Sequence, residues 1–184
     1  MPRAMIVGDS FVRRLERNPA GLHLRRWDVQ YRGLPGADTA RLSTFIRQQR
    51  PRVYDTVVIH VGSNDLCRSD DVDAVAQSIL NLATYLLTRW NVHKVVISQV
   101  LPRWPNTRYP MPYTLDQYNS TVSNVNATLQ NACRQLDSVS FWRHARLGHG
   151  SMFCHDGVHL NASGERRLLN SLRGALRATE SERR

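Results

Sequence analysis

A chain of 184 residues with 41% hydrophobic and 22% charged residues has the composition of a globular protein, not of a disordered or fibrous one. No apolar run approaches the ~20 residues that cross a bilayer, and no apolar signal stretch opens the chain, so a cytoplasmic protein without a transmembrane segment is expected. The formal net charge of +10 and pI near 10.5 suit an anionic partner, RNA or DNA or an anionic membrane; the bases are dispersed, though, which fits a solvated surface equally well.

Lys94 is the only lysine, so the charge is carried by arginine, which pairs with phosphate through two parallel hydrogen bonds. The three cysteines, Cys67, Cys133 and Cys154, are odd in number and lack the spacing of a metal site, so reduced thiols are expected. Asn119, Asn126 and Asn161 each begin an N-x-Ser/Thr triplet; without a signal sequence these read as chance matches.

In chain order, the run Ala4 to Gly8 predicts a strand that stops at Gly8-Asp9-Ser10, after which "FVRRLE" reads as helix. A serine at such a strand–helix turn is either a nucleophile or a cap, and the turn alone does not separate the two. Trp27 to Arg32 predicts a second strand, followed by "RGLPGADT". Tyr54 to Val61 and Lys94 to Val100 are the strongest strands, β-branched and continuous as buried parallel strands are. Between these two, Val72, Val75, Ile79, Ala83, Leu86 and Trp90 form one stripe at the 3.6-residue period of a core-facing helix. The segment Leu101 to Tyr113 carries four prolines and is neither helix nor central strand; it follows a strong strand, which puts it at the sheet's carboxyl edge. Tyr118, Val122, Val125, Leu129 and Cys133 mark another helix. The last helix, from about Ala162 to Arg177, carries Leu168, Leu169, Leu172 and Leu176. The alternation predicts an α/β protein with a parallel sheet between helical layers, one domain over residues 1–178 and a disordered tail over 179–184.

In such a sheet the strand ends meet on one rim. That rim collects Ser10, the loop with Gly36, the "GSND" of Gly62 to Asp65, and "HDGVHLNASG" with Asp156 and His159. Acyl transfer needs this set of groups. A serine hydroxyl requires a base, the histidine requires an acceptor that fixes its tautomer, and the developing oxyanion requires donors. Ser10, His159 and Asp156 supply the first three; the Ser10 and Gly36 N–H groups and the Asn64 amide supply the donors. The order Ser…Asp…His is that of other α/β hydrolases. Each block alone is weak, since Gly-Asp-Ser and Asp-Gly are common in turns; four in the right order are not.

GDS at Ser10, the glycine of "GLPGADT", "GSND" at Asn64 and "DGVH" near the C-terminus resemble the four blocks of the SGNH (GDSL-type) hydrolases, over Gly8 to His159. The resemblance implies a three-layer α/β/α sandwich with a flavodoxin-like central parallel sheet. It also implies a serine esterase that needs no cofactor, with Ser10 as nucleophile, His159 as base, Asp156 as orienting carboxylate, and Ser10, Gly36 and Asn64 as oxyanion donors. Gly33 is a near alternative to Gly36, and Gly36 is preferred because Asp38-Thr39 follows it at the family's usual spacing.

No metal site is expected, since Cys154 and His155 near His159 lack a second ligand pair. No stretch reads as a large apolar lid, so short, acetyl-like esters are the default substrate, with a lysophospholipid or other lipid ester as the wider range. Trp104, Tyr109 and His155 are candidate substrate contacts, and Met111 and Tyr113 offer further apolar surface. Trp104 and its aromatic neighbours equally suit pinning the Pro-rich loop to the body. His60 is expected inside a strand, and His23, His93, His144 and His149 at the surface or in loops. A compact arginine-rich SGNH domain also resembles the esterase domains of first-reading-frame proteins of LINE-type retrotransposons, which would make the chain part of a larger nucleic-acid-binding protein with esterase activity secondary.

Overall fold

The computed structural model describes residues 1–17, 26–105 and 113–181. Five strands, β1 (Arg3–Gly8), β2 (Asp28–Gly33), β3 (Thr56–His60), β4 (Lys94–Ser98) and β5 (Val139–Trp142), form one sheet in the order β2-β1-β3-β4-β5. All four pairings are parallel. This is the flavodoxin-like order, with the reversal at β1 between its neighbours β2 and β3. The first four strands fall where the sequence predicts them; β5 was not predicted.

Side chains alternate along each strand and divide the core in two. Met5, Val7, Val57, Ile59, Val95 and Ile97 face α2 (Thr39–Gln48), α3 (Val72–Arg89) and α4 (Leu115–Cys133). Ala4, Ile6, Val58 and Val96 face α1 (Ser10–Glu16) and α5 (Ala162–Ser181). The result is the expected three-layer sandwich. On α4 the five predicted stripe residues are its buried ones. On α3 Val75, Ile79, Ala83 and Leu86 are buried with Ala76 and Leu82, and Trp90 caps the helix, also buried.

Asp9, Asp38 and Asp71 cap α1, α2 and α3 through their carboxylates. Thr114 and Gln117 form a reciprocal capping box on α4. At the end of β1 no side chain is tolerable. A Cβ on Gly8 would lie 2.1 Å from the His60 carbonyl oxygen and 2.7 Å from a Val12 methyl, so only glycine lets α1 turn back this tightly over the sheet.

The three N-x-Ser/Thr asparagines all have structural work. Asn126 accepts from the Val100 N–H and donates to its carbonyl, each at 2.9 Å. Asn119 does the same to Arg103, at 2.9 and 2.8 Å. Asn161 accepts from Ser163 and Gly164 N–H at the start of α5. The α4 amides thus hold the segment after β4 in place, which fits the reading of these triplets as chance matches.

One expectation is corrected and one narrowed. The tail does not fray at Thr179: α5 continues to Ser181, and Thr179 is 3% exposed, its hydroxyl 3.2 Å from that of Thr56 at the start of β3. His144, expected at the surface or in a loop, lies in the loop after β5 but is 3% exposed, because polar partners from distant elements close around it. No helix among the described residues is long and apolar enough to cross a membrane.

Candidate active site

The cap of α1 belongs to the neighbour of Ser10. Asp9 caps α1, its Oδ1 accepting from the Phe11 N–H at 3.0 Å, and its own N–H donates to the His60 carbonyl at 3.2 Å. Ser63 Oγ donates to Asp9 Oδ2 at 3.3 Å. Asp9 is 1% exposed, and burial pushes its carboxyl up to about 7. Ser10 is therefore the first helical residue and has no capping duty. Its Oγ lies 3.2 Å from His159 Nε2.

His159 sits on the return side of a small loop. Cys154 N–H donates to the His159 carbonyl at 2.7 Å, and an antiparallel bridge joins Phe153 to Leu160. Across this loop Asp156 Oδ2 meets His159 Nδ1 at 2.7 Å. Asp156 Oδ1 accepts the Val158 and His159 N–H groups, each at 2.9 Å. Burial raises this carboxyl, but the bonds to the His159 ring and to the two backbone N–H groups outweigh it and bring it down to about 2. Asp156 is thus an anion aimed at Nδ1, which leaves Nε2 as the basic nitrogen facing Ser10.

The loops after β2 and β3 are tied to the same rim. Leu34 N–H donates to the Gly8 carbonyl at 2.8 Å, and Asn64 Nδ2 donates to the Ala37 carbonyl at 2.9 Å. Asp65 accepts the Thr39 N–H with both oxygens, at 3.1 and 3.0 Å. Gly36 lies at φ +67 and a Cβ there would meet nothing within 4 Å, so its backbone faces open space. The N–H groups of Ser10 and Gly36 have no hydrogen-bond partner among the described residues, and Asn64 Nδ2 has a second hydrogen beyond the one given to Ala37.

The expected substrate contacts fare differently. Trp104 packs inward: its ring lies 6.4 Å from Phe153 and 6.3 Å from His149, a Cβ on Gly150 would be 2.9 Å from the ring, and the Trp104 backbone N–H donates to the Gly157 carbonyl at 2.8 Å. It pins the loop and braces the turn between Asp156 and His159. His155 is exposed, and the bonds that assemble the site run through its neighbours. Tyr109 and Met111 lie outside the described residues. Among those described, no three His, Cys, Asp or Glu side chains gather as a metal site.

One buried chain was missed by sequence reasoning. His60 Nδ1 meets Ser98 Oγ at 2.8 Å, Ser98 Oγ meets His144 Nε2 at 2.6 Å, and His144 Nδ1 meets Ser171 Oγ at 2.7 Å. Burial lowers His60 to about 4; burial, then the charge of His60, lowers His144 to about 3. The His60 ring lies 5.2 Å from that of Phe11, edge to face, and Phe11 lies 6.1 Å from His159. The chain therefore underlies the site. No local pattern marks it, since its members come from β3, β4, the segment after β5 and α5.

Residues 6–167 match the model of the GDSL-like Lipase/Acylhydrolase family. Among solved structures, a GDSL-like lipase from Bacteroides thetaiotaomicron superposes with a TM-score of 0.75 at 18% identity, over 96% of this chain and 88% of that one. A carbohydrate acetylesterase family member from Sinorhizobium meliloti gives 0.72 at 19%, covering 97% and 99%. The native aryl esterase of M. smegmatis gives 0.71 at 17%, covering 97% and 100%. Comparison with curated protein sequences finds no significant match. The fold and the family define a carboxylic ester hydrolase. The chain belongs to the GDSL-like lipase/acylhydrolase family.

Proposed function

We propose that the protein hydrolyses short, acetyl-like carboxylic esters through an acyl-enzyme on Ser10. The observation that carries this is the unbroken chain Ser10 Oγ–His159–Asp156, at 3.2 and 2.7 Å. His159 Nε2 takes the hydroxyl proton as Ser10 Oγ adds to the ester carbonyl, while Asp156 holds the ring and stabilises its protonated form. The tetrahedral oxyanion is received by the Ser10 and Gly36 N–H groups and the second hydrogen of the Asn64 amide. Collapse breaks the bond to the alcohol, which leaves with the proton from His159. Water, deprotonated by His159, then attacks the acyl group and frees the carboxylic acid and Ser10.

The likeness to a carbohydrate acetylesterase family member supports a short acyl group. A series of p-nitrophenyl esters of increasing acyl length tests it. Turnover should be best at acetyl or propionyl and fall with each added carbon. Absence of turnover, or a maximum at long chains, would refute the reading. In the same assay Asn64→Ala should lower kcat by roughly 10²–10³ with little change in KM, because the amide acts on charge that exists only in the transition state.

A further inference from the structure

A second cleft, of about 240 Å³, opens between β2 and the C-terminal end of α2, on the sheet face opposite α1 and its Ser10. Its lining includes Arg32, Arg50, Arg52 and Gln49, over Tyr54 and Trp90. No carboxylate lines it. None of the three arginines pairs with an acid among the described residues, whereas Arg3, Arg13, Arg14 and Arg68 all do. Three like charges gathered without a counter-charge repel one another, and an anion removes that penalty.

The floor of the cleft supplies the second observation. Tyr54 and Trp90 stack at 6.2 Å and 18°, 2% and 4% exposed. Tyr54 has a partner for its hydroxyl, which donates to Gln30 Oε1 at 2.9 Å. Trp90 Nε1 is buried and has no hydrogen-bond partner among the described residues. The indole N–H is closed off beneath the floor, so it does not touch what binds above, but its ring lines the cleft and its signal reports on an ion seated there. Three guanidinium groups, each with paired N–H donors, form a donor set suited to a tetrahedral oxyanion.

We propose that this cleft is a ligand site separate from the esterase centre, and that it holds the phosphoryl group of a small anionic molecule between Arg32, Arg50 and Arg52, above the Tyr54 and Trp90 rings. The buried rings make the floor and are not open to stacking, so the phosphoryl group itself is the recognised part.

The test is titration of the full chain with inorganic phosphate, followed through the Trp90 indole N–H in ¹H–¹⁵N spectra and by calorimetry. The Trp90 signal, assigned by its loss in Trp90→Phe, should move and saturate in the millimolar range or below. The double variant Arg50→Gln/Arg52→Gln, altered only at exposed side chains, should weaken binding by about tenfold or more. Ser10→Ala should bind phosphate as the wild type does, which separates this site from the catalytic one. A glycerol phosphate that binds more tightly than inorganic phosphate would identify an ester as the source; equal affinity would identify the free ion. An unmoved Trp90 signal, or affinity untouched by the arginine changes, would overturn the proposal. So would binding confined to single-stranded RNA or to anionic vesicles with no response to inorganic phosphate, because that describes a diffuse basic surface and not a built site.

Discussion

Ser10→Ala is expected to fold as the wild type does and to lose roughly 10⁶ in kcat toward p-nitrophenyl acetate. The fold should survive because the α1 cap belongs to Asp9, and the lost hydroxyl has His159 Nε2 as its partner at 3.2 Å. Asp156→Asn should lower kcat by about 10⁴. An amide at that position removes the negative charge facing Nδ1 and permits the ring tautomer that presents a hydrogen to Ser10 instead of a lone pair. The two changes act on one unit, so the double variant should be no slower than Ser10→Ala alone. Thermal denaturation must accompany the rates, since Asp156 also binds two backbone N–H groups of its own loop. Retained turnover in folded Ser10→Ala would end the acyl-enzyme reading.

The second large effect concerns acid. His60 and His144 are held neutral in the fold, at about 4 and about 3, against 6.5 in the unfolded chain. Between these values the unfolded chain binds protons that the folded one does not. Their contribution is therefore fully present above pH 6.5 and is lost as pH falls toward about 4. Asp9 acts in the opposite sense: kept protonated up to about 7, it favours the fold at low pH and loses that contribution as pH rises from 3.8. Asp65, also raised by burial, acts in the same sense as Asp9, so the total slope is a balance of these groups and the histidine part is read from a variant. Urea denaturation across pH 4.5 to 6.5 should show a slope smaller by about 1.4 kcal/mol per pH unit in His144→Gln than in the wild type. Equal slopes would mean that His144 is not kept neutral.

Much of this architecture was legible because it depends on period and punctuation. β1, β3 and β4 are continuous apolar runs, and the α4 stripe from Tyr118 to Cys133 repeats at the helical interval. The candidate site residues stood in short blocks at strand ends or just ahead of α5, and the structure brings Ser10, His159 and Asp156 into one hydrogen-bonded row. Other parts were not. In α2 only Thr39, Leu42 and Ile46 are buried, too sparse a stripe to announce a helix behind the "GLPGADT" loop. β5 has four residues at the sheet edge, too few to display alternation. His144 lies in a polar, arginine-rich stretch and is buried only because Ser98 and Ser171 arrive from far away in sequence. Thr179 belongs to the core for the same kind of reason, through Thr56. In each case the deciding contact is long-range, and no local window contains it.

The bond between His159 and Ser10 spans 149 positions of the chain. Such a contact closes a long loop, and loop closure is what slows folding. The hydroxyl side is laid down with β1 and α1, while its base waits for the segment that leads into α5. A nascent or partly refolded chain can thus present sheet and helices to every spectroscopic probe and still be inert. If Ser10 and His159 act as proposed, the onset of ester cleavage keeps time for the final stage of folding, and chains interrupted before that stage hydrolyse nothing.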